Sequence, residues 1–387
     1  MRTGPLLALT VSAGVVALLA GCRSDQGFTP FGGYATLESD HGQWLSMSVA
    51  PDGSPSMAFY DRTQGALGFA IGNVKSDGIQ WVYEEPDGYP DSGGLDGGDV
   101  GTYTSHAWAP DGTAWVAYHG VGQGSLKVAH RVGKTWTTEV VDTGTGLRPN
   151  TGRYTDIAID GSGQPVVVYH DEGAGVLMLA NRTGETWNTQ VIATGEPYVG
   201  PDETGTTVER EADVGEYAQI LIDGNTHYIA YYDRAQQDLV LLEGFVGAYS
   251  ATTIASEGNV GQWPSLGLDG DTLAIAYHDV TNQDLVLAKR EGGGRFERSI
   301  LDDGRKRGAD AALFRRDGRW GATYFDGREL DLYLAAEGTE GTWSISQLGG
   351  AEGAEGFHNE VVQDGAGRWW SGTYDYTARK IVVRRIE

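Results

Sequence analysis

The chain has 387 residues, of which 40% are apolar and 10% aromatic, so it can bury a sizeable core and is not a disordered acidic tail. Its formal net charge of −25 argues against nucleic acid as a partner, because phosphate binding requires a basic face. The 59 glycines follow no Gly-X-Y period, which predicts many tight turns rather than long helices.

Residues 1–21 have the layout of a secretion signal. An arginine precedes an apolar run from Leu6 to Ala20, which is too short for a comfortable bilayer span. The run ends in Leu19-Ala20-Gly21-Cys22, which resembles the lipobox of bacterial lipoproteins, where the cysteine is acylated and becomes the first residue of the mature protein. The alternative is an ordinary signal peptide with a chance cysteine.

The lipobox resemblance implies that Cys22 carries several acyl chains, palmitate among them, and stable anchoring requires more than one chain. Cys22 is the only cysteine, so an internal disulfide and a cysteine-based metal site are excluded. We expect residues 22–32 to be a lipidated tether to a membrane. Arg23 stands where an aspartate would indicate inner-membrane retention in that family, so the resemblance favours the outer membrane of the cell envelope.

Residues 33–387 contain seven copies of one repeat. Each copy opens with a glycine two residues before an aromatic residue or its replacement, at Gly42, Gly101, Gly152, Gly215, Gly261, Gly308 and Gly356. An Asp-Gly turn follows in every copy, at residues 52, 111, 160, 223, 269, 317 and 364. A second strand then ends in two aromatic residues and an aspartate in most copies, as in Tyr231-Tyr232-Asp233, and a third and a fourth strand follow.

The seventh copy lacks a fourth strand, because the chain ends just after its third. Residues 32–37, with the sequence Gly-Gly-Tyr-Ala-Thr-Leu, read like the missing strand and are expected to pair with the strand that contains Ile381. A closed ring explains why an N-terminal strand would complete the last copy, since closure leaves no free sheet edges. The sequence therefore predicts an all-β fold, a seven-bladed β-propeller with four-stranded blades, whose last blade is closed by the N-terminal strand. A β-helix or a two-sheet sandwich is the alternative.

One copy shows a family resemblance. It reads Ser-Leu-Gly-Leu-Asp-Gly at 265–270, Ile-Ala-Tyr-His-Asp at 275–279 and Asp-Leu-Val-Leu-Ala at 284–288, which resembles the propeller repeats of bacterial surface and secreted proteins of unassigned function. The Ser-x-Asp-x-Gly-x-Thr-Trp box of sialidase-type repeats is absent. The resemblance supports the fold and implies almost nothing about chemistry.

In a propeller the repeat openings and the ends of the second strands meet at one face, which we call the mouth. We expect the opening side chains to form a binding surface there, namely Trp44, Tyr103, Tyr154, Tyr217, Trp263 and His358. Aromatic rings suit either a glycan or an envelope protein as ligand. The alternative is that the rings only pack neighbouring blades together. The aspartates that end the second strands are expected to accept backbone N–H groups.

Departures from the repeat supply the candidates for catalysis. Copies six and seven have Asp310 and His358 at the aromatic position. Two residues after that position, where other copies have serine, copies three, four, six and seven have Asp156, Gln219, Ala312 and Glu360. Basic residues are expected beside them, at Arg305, Lys306, Arg307, Arg328, Arg379 and Lys380. The catalytic candidates are His358, Glu360, Asp310, Tyr374 and Arg305. The alternative is a solvated network of salt bridges.

Two reactions on an acidic polysaccharide fit these candidates. Elimination requires a base, for which His358 or Tyr374 would serve, and a cation such as Arg305 to neutralise a uronate. Hydrolysis requires a pair of carboxyl groups, for which Glu360 with Asp310 or Asp156 is the candidate.

Two insertions lengthen the repeat at the mouth. The steps from Gly42 to Gly101 and from Gly152 to Gly215 are 59 and 63 residues, against 46 or 47 in the shortest copies. The first insertion contains possible Ca²⁺ ligands, at Asp87, Asp91, Asp96 and Asp99, although a solvated acidic loop has the same composition. The second, residues 196–213, is expected to form a rim or lid. A three-histidine metal site would require His119, His170 and His278 to converge; otherwise they pack between blades.

Three functions remain open. The favoured one is a cell-envelope lipoprotein that binds a glycan or an envelope protein through the mouth. A structural or assembly partner in an envelope complex, with no chemistry, is the second. An enzyme acting on acidic polysaccharide, a lyase or a glycoside hydrolase, is the third.

Overall fold

The computed structural model describes residues 26–27, 40–76, 78–88, 98–145, 149–202, 204–349 and 353–387. In this part of the chain nearly all regular structure is β-strand, and the one helical segment is a 3₁₀ turn at Thr339–Gly341. The strands form seven four-stranded sheets and one separate hairpin. The predicted all-β propeller with seven blades is therefore confirmed.

The strands are numbered in chain order, beginning with β1 (Gln26–Gly27). Blade one contains β2 (His41–Val49), β3 (Pro55–Asp61), β4 (Ala66–Lys75) and β5 (Gly78–Asp87). Blade two contains β6 (Val100–Trp108), β7 (Ala114–Gly120), β8 (Ser125–Val132) and β9 (Thr135–Asp142). Blade three contains β10 (Thr151–Ile159), β11 (Pro165–Asp171), β12 (Val176–Thr183) and β13 (Thr186–Ala193).

A separate hairpin, β14 (Tyr198–Pro201) and β15 (Thr207–Arg210), follows. Blade four contains β16 (Val214–Asp223), β17 (Thr226–Asp233), β18 (Asp238–Phe245) and β19 (Ala248–Ala255). Blade five contains β20 (Val260–Asp269), β21 (Thr272–Asp279), β22 (Asp284–Glu291) and β23 (Glu297–Asp302). Blade six contains β24 (Arg307–Arg316), β25 (Arg319–Asp326), β26 (Asp331–Glu337) and β27 (Trp343–Gln347). Blade seven contains β28 (Glu355–Gln363), β29 (Trp369–Asp375) and β30 (Lys380–Ile386).

The N-terminal segment supplies the fourth strand of blade seven. The strand order in that sheet is β1-β30-β29-β28, with Gln26 opposite Val383 and Gly27 opposite Val382. Closure by the N-terminal strand is therefore confirmed, although the two paired residues precede the expected segment, and residues 32–37 lie outside the described residues. The pairing falls within the range 22–32 that the sequence assigns to the tether.

Each junction between neighbouring blades repeats the same backbone hydrogen bond. The Val100 N–H donates to Gly65 at 3.1 Å between blades one and two, and the His41 N–H donates to Arg379 at 3.3 Å between blades seven and one. A second repeated bond closes the mouth end of each blade on itself, as from the Val121 N–H to Asp99 at 2.8 Å and from the Arg62 N–H to Asp40 at 2.9 Å. The ring therefore closes at the inner strands as well as through β1.

The apolar core lies between the blades. The cluster that joins blades seven and one packs Leu45 and Met47 against Val362 and Trp370, all of them buried. A Cβ atom at Gly372 would lie 2.2 Å from the Met47 sulfur, so a larger residue there would require the buried Met47 side chain to move. Among the described residues, no helix is both long and apolar enough to cross a membrane.

Candidate binding site in the central channel

The glycine of each repeat opening permits a close approach between blades. Gly101 has a φ of 101°, and a Cβ atom there would lie 2.8 Å from the Leu67 Cα of the preceding blade. The pairing of β6 with β7 shifts register on both sides of Thr102, which marks a bulge in the inner strand. The aromatic residue that follows, Tyr103, has a φ of 53°, a left-handed conformation that L-residues rarely adopt.

The left-handed backbone recurs at the equivalent position in all seven blades, with φ between 48° and 55°. The seven residues are Trp44, Tyr103, Tyr154, Tyr217, Trp263, Asp310 and His358. All seven line one cavity of about 310 Å³. Each side chain is half-buried, and its exposed part faces this central channel rather than the outer surface.

Six of these side chains form a continuous series of ring contacts, which we call the aromatic arc. Its centroid separations are 5.6 Å for His358–Trp44, 5.2 Å for Trp44–Tyr103, and 4.8 Å for Tyr103–Tyr154, Tyr154–Tyr217 and Tyr217–Trp263. Asp310 occupies the remaining position, between Trp263 and His358. The structure therefore brings together all six side chains that the sequence proposed for binding.

A second layer of side chains lies two residues further along each inner strand, and all of its members except Ser46 line the cavity. Five members accept a hydrogen bond from a backbone N–H of the next blade, namely Ser46, Ser105, Asp156, Gln219 and Ser265. Ala312 has no side-chain acceptor, and Glu360 accepts no hydrogen bond within the described part of the chain. The repeated serine thus joins blades, and Glu360 is free of that structural role.

Three carboxyl groups share the cavity wall. Burial raises the pKa of Asp156 to about 6 and the pKa of Asp310 to about 7. Burial raises the pKa of Glu360 well above its usual value, and the nearby charges of Asp156 and Asp310 raise it further. Among the described residues no lysine or arginine lines this cavity. The wall therefore has several acidic groups and no compensating cation.

His358 and Asp310 are adjacent in this wall. Asp310 accepts a hydrogen bond from the His358 N–H, and the His358 Nδ1 lies 4.0 Å from the Asp310 Oδ2. Burial lowers the pKa of His358 to about 4, so the imidazole is neutral at neutral pH. Their side chains are only 22% and 24% exposed, which keeps bulk water from screening the carboxylate fully.

The mouth also contains an arginine that the sequence reasoning missed. Arg153 donates to the Tyr103 hydroxyl at 2.5 Å, lies over the Tyr103 and Tyr154 rings at 5.1 and 5.6 Å, and pairs with Glu172 at 2.5 Å. It is the middle residue of the blade-three opening, where the other copies have Gln, Thr, Glu, Ala or Phe. That difference is the signal that could have found it.

Two catalytic candidates, Tyr374 and Arg305, are not in the cavity wall. Tyr374 is buried behind His358 and donates to Asp40, and burial raises its pKa, which opposes a role as a base. Arg305 is exposed. Arg307, from the expected basic cluster, pairs instead with Asp302 and Asp326 at 3.1 and 2.8 Å. Within the described ranges, the expected basic cluster therefore does not reach the carboxyl groups.

The three histidines considered as metal ligands each pack against the opening aromatic residue of their own blade. His119 lies 3.0 Å from the Asn150 Oδ1, and His170 lies 2.8 Å from the Asp213 Oδ1. His278 packs on Trp263 at 5.8 Å. Across the described ranges, no group of three His, Cys, Asp or Glu side chains is arranged to hold a metal ion.

The described carboxylates of the first insertion have structural partners. Asp87 forms a buried ion pair with Lys127 at 2.6 Å and accepts the Tyr118 hydroxyl at 2.6 Å. Asp99 accepts the Tyr60 hydroxyl at 2.6 Å, across the junction of blades one and two. The other two candidate Ca²⁺ ligands, Asp91 and Asp96, lie outside the described residues.

The second insertion forms the β14–β15 hairpin, which rests on the turn after β17. Arg210 donates to the Ala235 carbonyl at 2.7 Å and lies over the Tyr198 ring at 4.5 Å. Gln236 donates to the Glu196 carbonyl at 3.0 Å. The hairpin borders a separate cavity of about 570 Å³ between blades three and four, and it does not line the central cavity.

The aspartates at the ends of the second strands behave as expected. The Asp61 and Asp233 Oδ1 atoms accept the N–H groups of Gln64 and Gln236, at 3.1 and 2.9 Å. Asp326 accepts the Arg328 N–H at 2.7 Å. Each carboxylate thus closes the turn that follows its strand.

No family model matches the chain, and no curated protein matches its sequence. Solved structures share the propeller fold. The polysaccharide lyase Uly1 is 10% identical, with 94% of each chain covered and a TM-score of 0.52. The Hadza microbial sialidase Hz136 is 14% identical over 80% of this chain and 65% of the sialidase, with a TM-score of 0.48. A six-bladed fucose-recognising lectin of Aleuria aurantia is 12% identical over 81% of this chain and 97% of the lectin, with a TM-score of 0.49. At 10% identity the likeness to Uly1 shows the fold alone.

Proposed function

We propose that this protein is a saccharide-binding module of the cell envelope, and that its ligand stacks on the aromatic arc. The observation that carries the proposal is the continuous series of six rings around one cavity. Aromatic faces pack against the C–H surfaces of sugars. The cavity volume of about 310 Å³ is at the small end of the range for ligand pockets, which suits one sugar residue at the end of a glycan.

The backbone supports a role for the arc beyond packing. The six residues of the aromatic arc and Asp310 all have a left-handed φ, and this conformation costs roughly 1–3 kcal/mol at each non-glycine residue. The side chains are not fully buried in the core, because each is only half-buried and lines the channel. Aliphatic residues on a regular strand could pack the blades together without the strain of a left-handed backbone.

The envelope location in this proposal rests on the lipobox-like segment that ends at Cys22. Acyl chains on Cys22 would hold the propeller at a membrane, with the outer membrane favoured by Arg23. Glycans and envelope proteins are then the ligands within reach of the mouth.

The test compares two wall tryptophans with one outside the cavity. Trp44→Ala and Trp263→Ala should weaken glycan binding by about tenfold or more, because each removes a stacking face. Trp343→Ala, in the outer strand of blade six, should bind like the parent protein. Binding is measured by calorimetry against a panel of purified cell-wall and capsular glycans.

Unchanged binding in both wall variants, or no binding of any glycan by the parent protein, would refute the saccharide proposal. Crosslinking and pull-down from native membranes would then test the remaining binding function, an envelope protein as ligand or assembly partner. Stoichiometric capture of one membrane protein is the result that function requires.

Glycoside hydrolysis is a second candidate, because Asp310 and Glu360 share one wall and both have raised pKa values, as a general acid requires. Release of reducing ends that Glu360→Gln abolishes would establish it. Elimination has less support, since Tyr374 and Arg305 lie outside the wall.

A further inference from the structure

The charge in the central cavity is unbalanced. Asp156, Asp310 and Glu360 line it, and the described residues place no lysine or arginine in its wall. The arginine at the mouth, Arg153, is paired with Glu172 at 2.5 Å. A ligand that enters the cavity therefore meets carboxyl groups below a series of aromatic faces.

From this arrangement we infer that the cavity binds a cationic group, and specifically the free ammonium of an unacetylated amino sugar. The inference rests on the proposed function, since it names the class of saccharide that the aromatic arc takes. An ammonium is attracted to the faces of Trp and Tyr rings, and the attraction is greatest where water is partly excluded.

The positions of the rings favour a cation over a neutral sugar. Trp263 and Trp44 stand near the two ends of the arc, and Asp310 and His358 lie between them on the closing side. The His358 ring is neutral at neutral pH, so it adds an aromatic face without repelling an ammonium. Tryptophan gives the strongest cation–π contacts of the natural side chains.

Glu360 supplies an independent argument. The other acidic member of the second layer, Asp156, accepts hydrogen bonds from Ser105 and from the Ile220 N–H, at 2.6 and 2.7 Å. Glu360 has no such partner within the described residues, although it lines the same cavity. Burial therefore opposes ionisation of Glu360, and a bound ammonium would stabilise its ionised form.

Other ligand classes fit less well. A metal ion would need several converging oxygen or nitrogen ligands, and the described residues contain no group of three arranged to hold one. A uronate or another anion would face the carboxyl groups, and the described residues place no lysine or arginine in the wall to pair with it. An ammonium has only three N–H donors to satisfy here, and the ring faces can provide contacts where an acceptor is missing.

The inference predicts how binding depends on pH. A bound cation favours the ionised carboxylates, so binding of tetramethylammonium, whose charge is permanent, should release protons and strengthen between pH 5 and pH 8. Binding of the free amine oligomer should rise and then fall in this range, because its own amino groups lose their protons near neutral pH. Asp156 faces Ser105 and the Ile220 N–H. Asp310 faces His358 and Tyr376. Glu360 faces Asp156 and Asp310. None of these facing groups is a lysine or arginine. A neutral saccharide should show no such increase with pH.

The experiment titrates the full mature chain in detergent with three probes. They are a glucosamine oligomer, the N-acetylated oligomer of the same length, and tetramethylammonium chloride with sodium chloride as its salt control. We expect the free amine oligomer to bind about tenfold more tightly than the acetylated oligomer. Glu360→Gln should remove that preference, and Asp317→Asn, an exposed change in a turn of blade six, should keep it.

The outcomes separate the two proposals. Equal binding of both oligomers, unchanged in Glu360→Gln, overturns the cation inference and leaves the saccharide proposal standing. Tetramethylammonium binding that depends on Glu360, with no saccharide bound, supports the cation site and refutes the saccharide proposal. No binding of either cationic probe overturns the inference. If Glu360→Gln does not fold, Asp310→Asn takes its place in the same comparison.

Discussion

Replacing Asp310 by Asn should stabilise the propeller strongly at pH 8 and clearly less at pH 5, because pH 5 lies only about one unit above the ordinary aspartate pKa of 3.8. Burial raises the pKa of Asp310 from 3.8 to about 7, so the folded state opposes its ionisation. A group with a raised folded pKa favours the folded state below its unfolded pKa and loses that contribution as the pH rises through the folded pKa. The parent protein therefore carries the cost at pH 8, and the Asn variant does not.

The magnitude follows from the size of the shift. A difference of about three pKa units corresponds to about 4 kcal/mol, which is an upper bound. The Asp310 side chain is 24% exposed to the channel, so screening by water reduces the expected gain to about 2–3 kcal/mol. For a chain of this size that gain raises Tm by about 3–4 °C.

Asn is the appropriate replacement, because it tolerates the left-handed φ of 54° and can still accept the His358 N–H. Thermal unfolding of parent and variant at pH 5 and pH 8 makes the measurement. Asp317→Asn is the matched control, since Asp317 also has a positive φ, 50°, and its side chain is 92% exposed. An equal Tm difference at both pH values, or a lower Tm for Asp310→Asn at pH 8, would refute the reasoning.

Three further predictions concern the anchor, the repeat and a buried ion pair. In a detergent phase-separation assay, Cys22→Ala should move the protein from the detergent-rich phase to the aqueous phase. Recovery of the variant in the detergent-rich phase would contradict lipidation. Gly101→Ala should lower the unfolding free energy by about 2–4 kcal/mol, whereas Gly112→Ala, with a similar φ but no atom within 4 Å, should lower it by clearly less. Lys127→Met should cost about 3–5 kcal/mol by denaturant unfolding, and adding Asp87→Asn should recover part of it; no recovery would contradict a charge effect.

The fold was predictable because each repeated residue has the same physical task in every blade. The opening glycine allows blades to approach closely, as at Gly101, and the Asp at the end of each second strand caps the next turn, as at Asp233. Residue types with a local task of this kind leave a periodic pattern in the sequence. Spacing therefore predicted the seven blades, and the missing fourth strand of the last copy predicted that the N-terminal segment completes it, although the described pairing is at residues 26–27 and not at 32–37.

The chemistry of the cavity was less predictable. Asp156 and Glu360 come from blades three and seven, and their interaction depends on the ring bringing distant strands to one axis. Arg307 was expected near the carboxyl groups because of its position in the chain, but local partners, Asp302 and Asp326, hold it away from the channel. Arg153 escaped notice because a single cation in one copy makes no pattern.

The position of β1 bears on how the proposed lipoprotein would sit on its membrane. Gln26, the first paired residue, follows Cys22 by only four residues, which span at most about 14 Å when fully extended. The outer edge of blade seven, where β1 lies, would therefore be held within about 14 Å of the anchoring residue. A tether this short would limit the channel to ligands that lie close to the membrane surface.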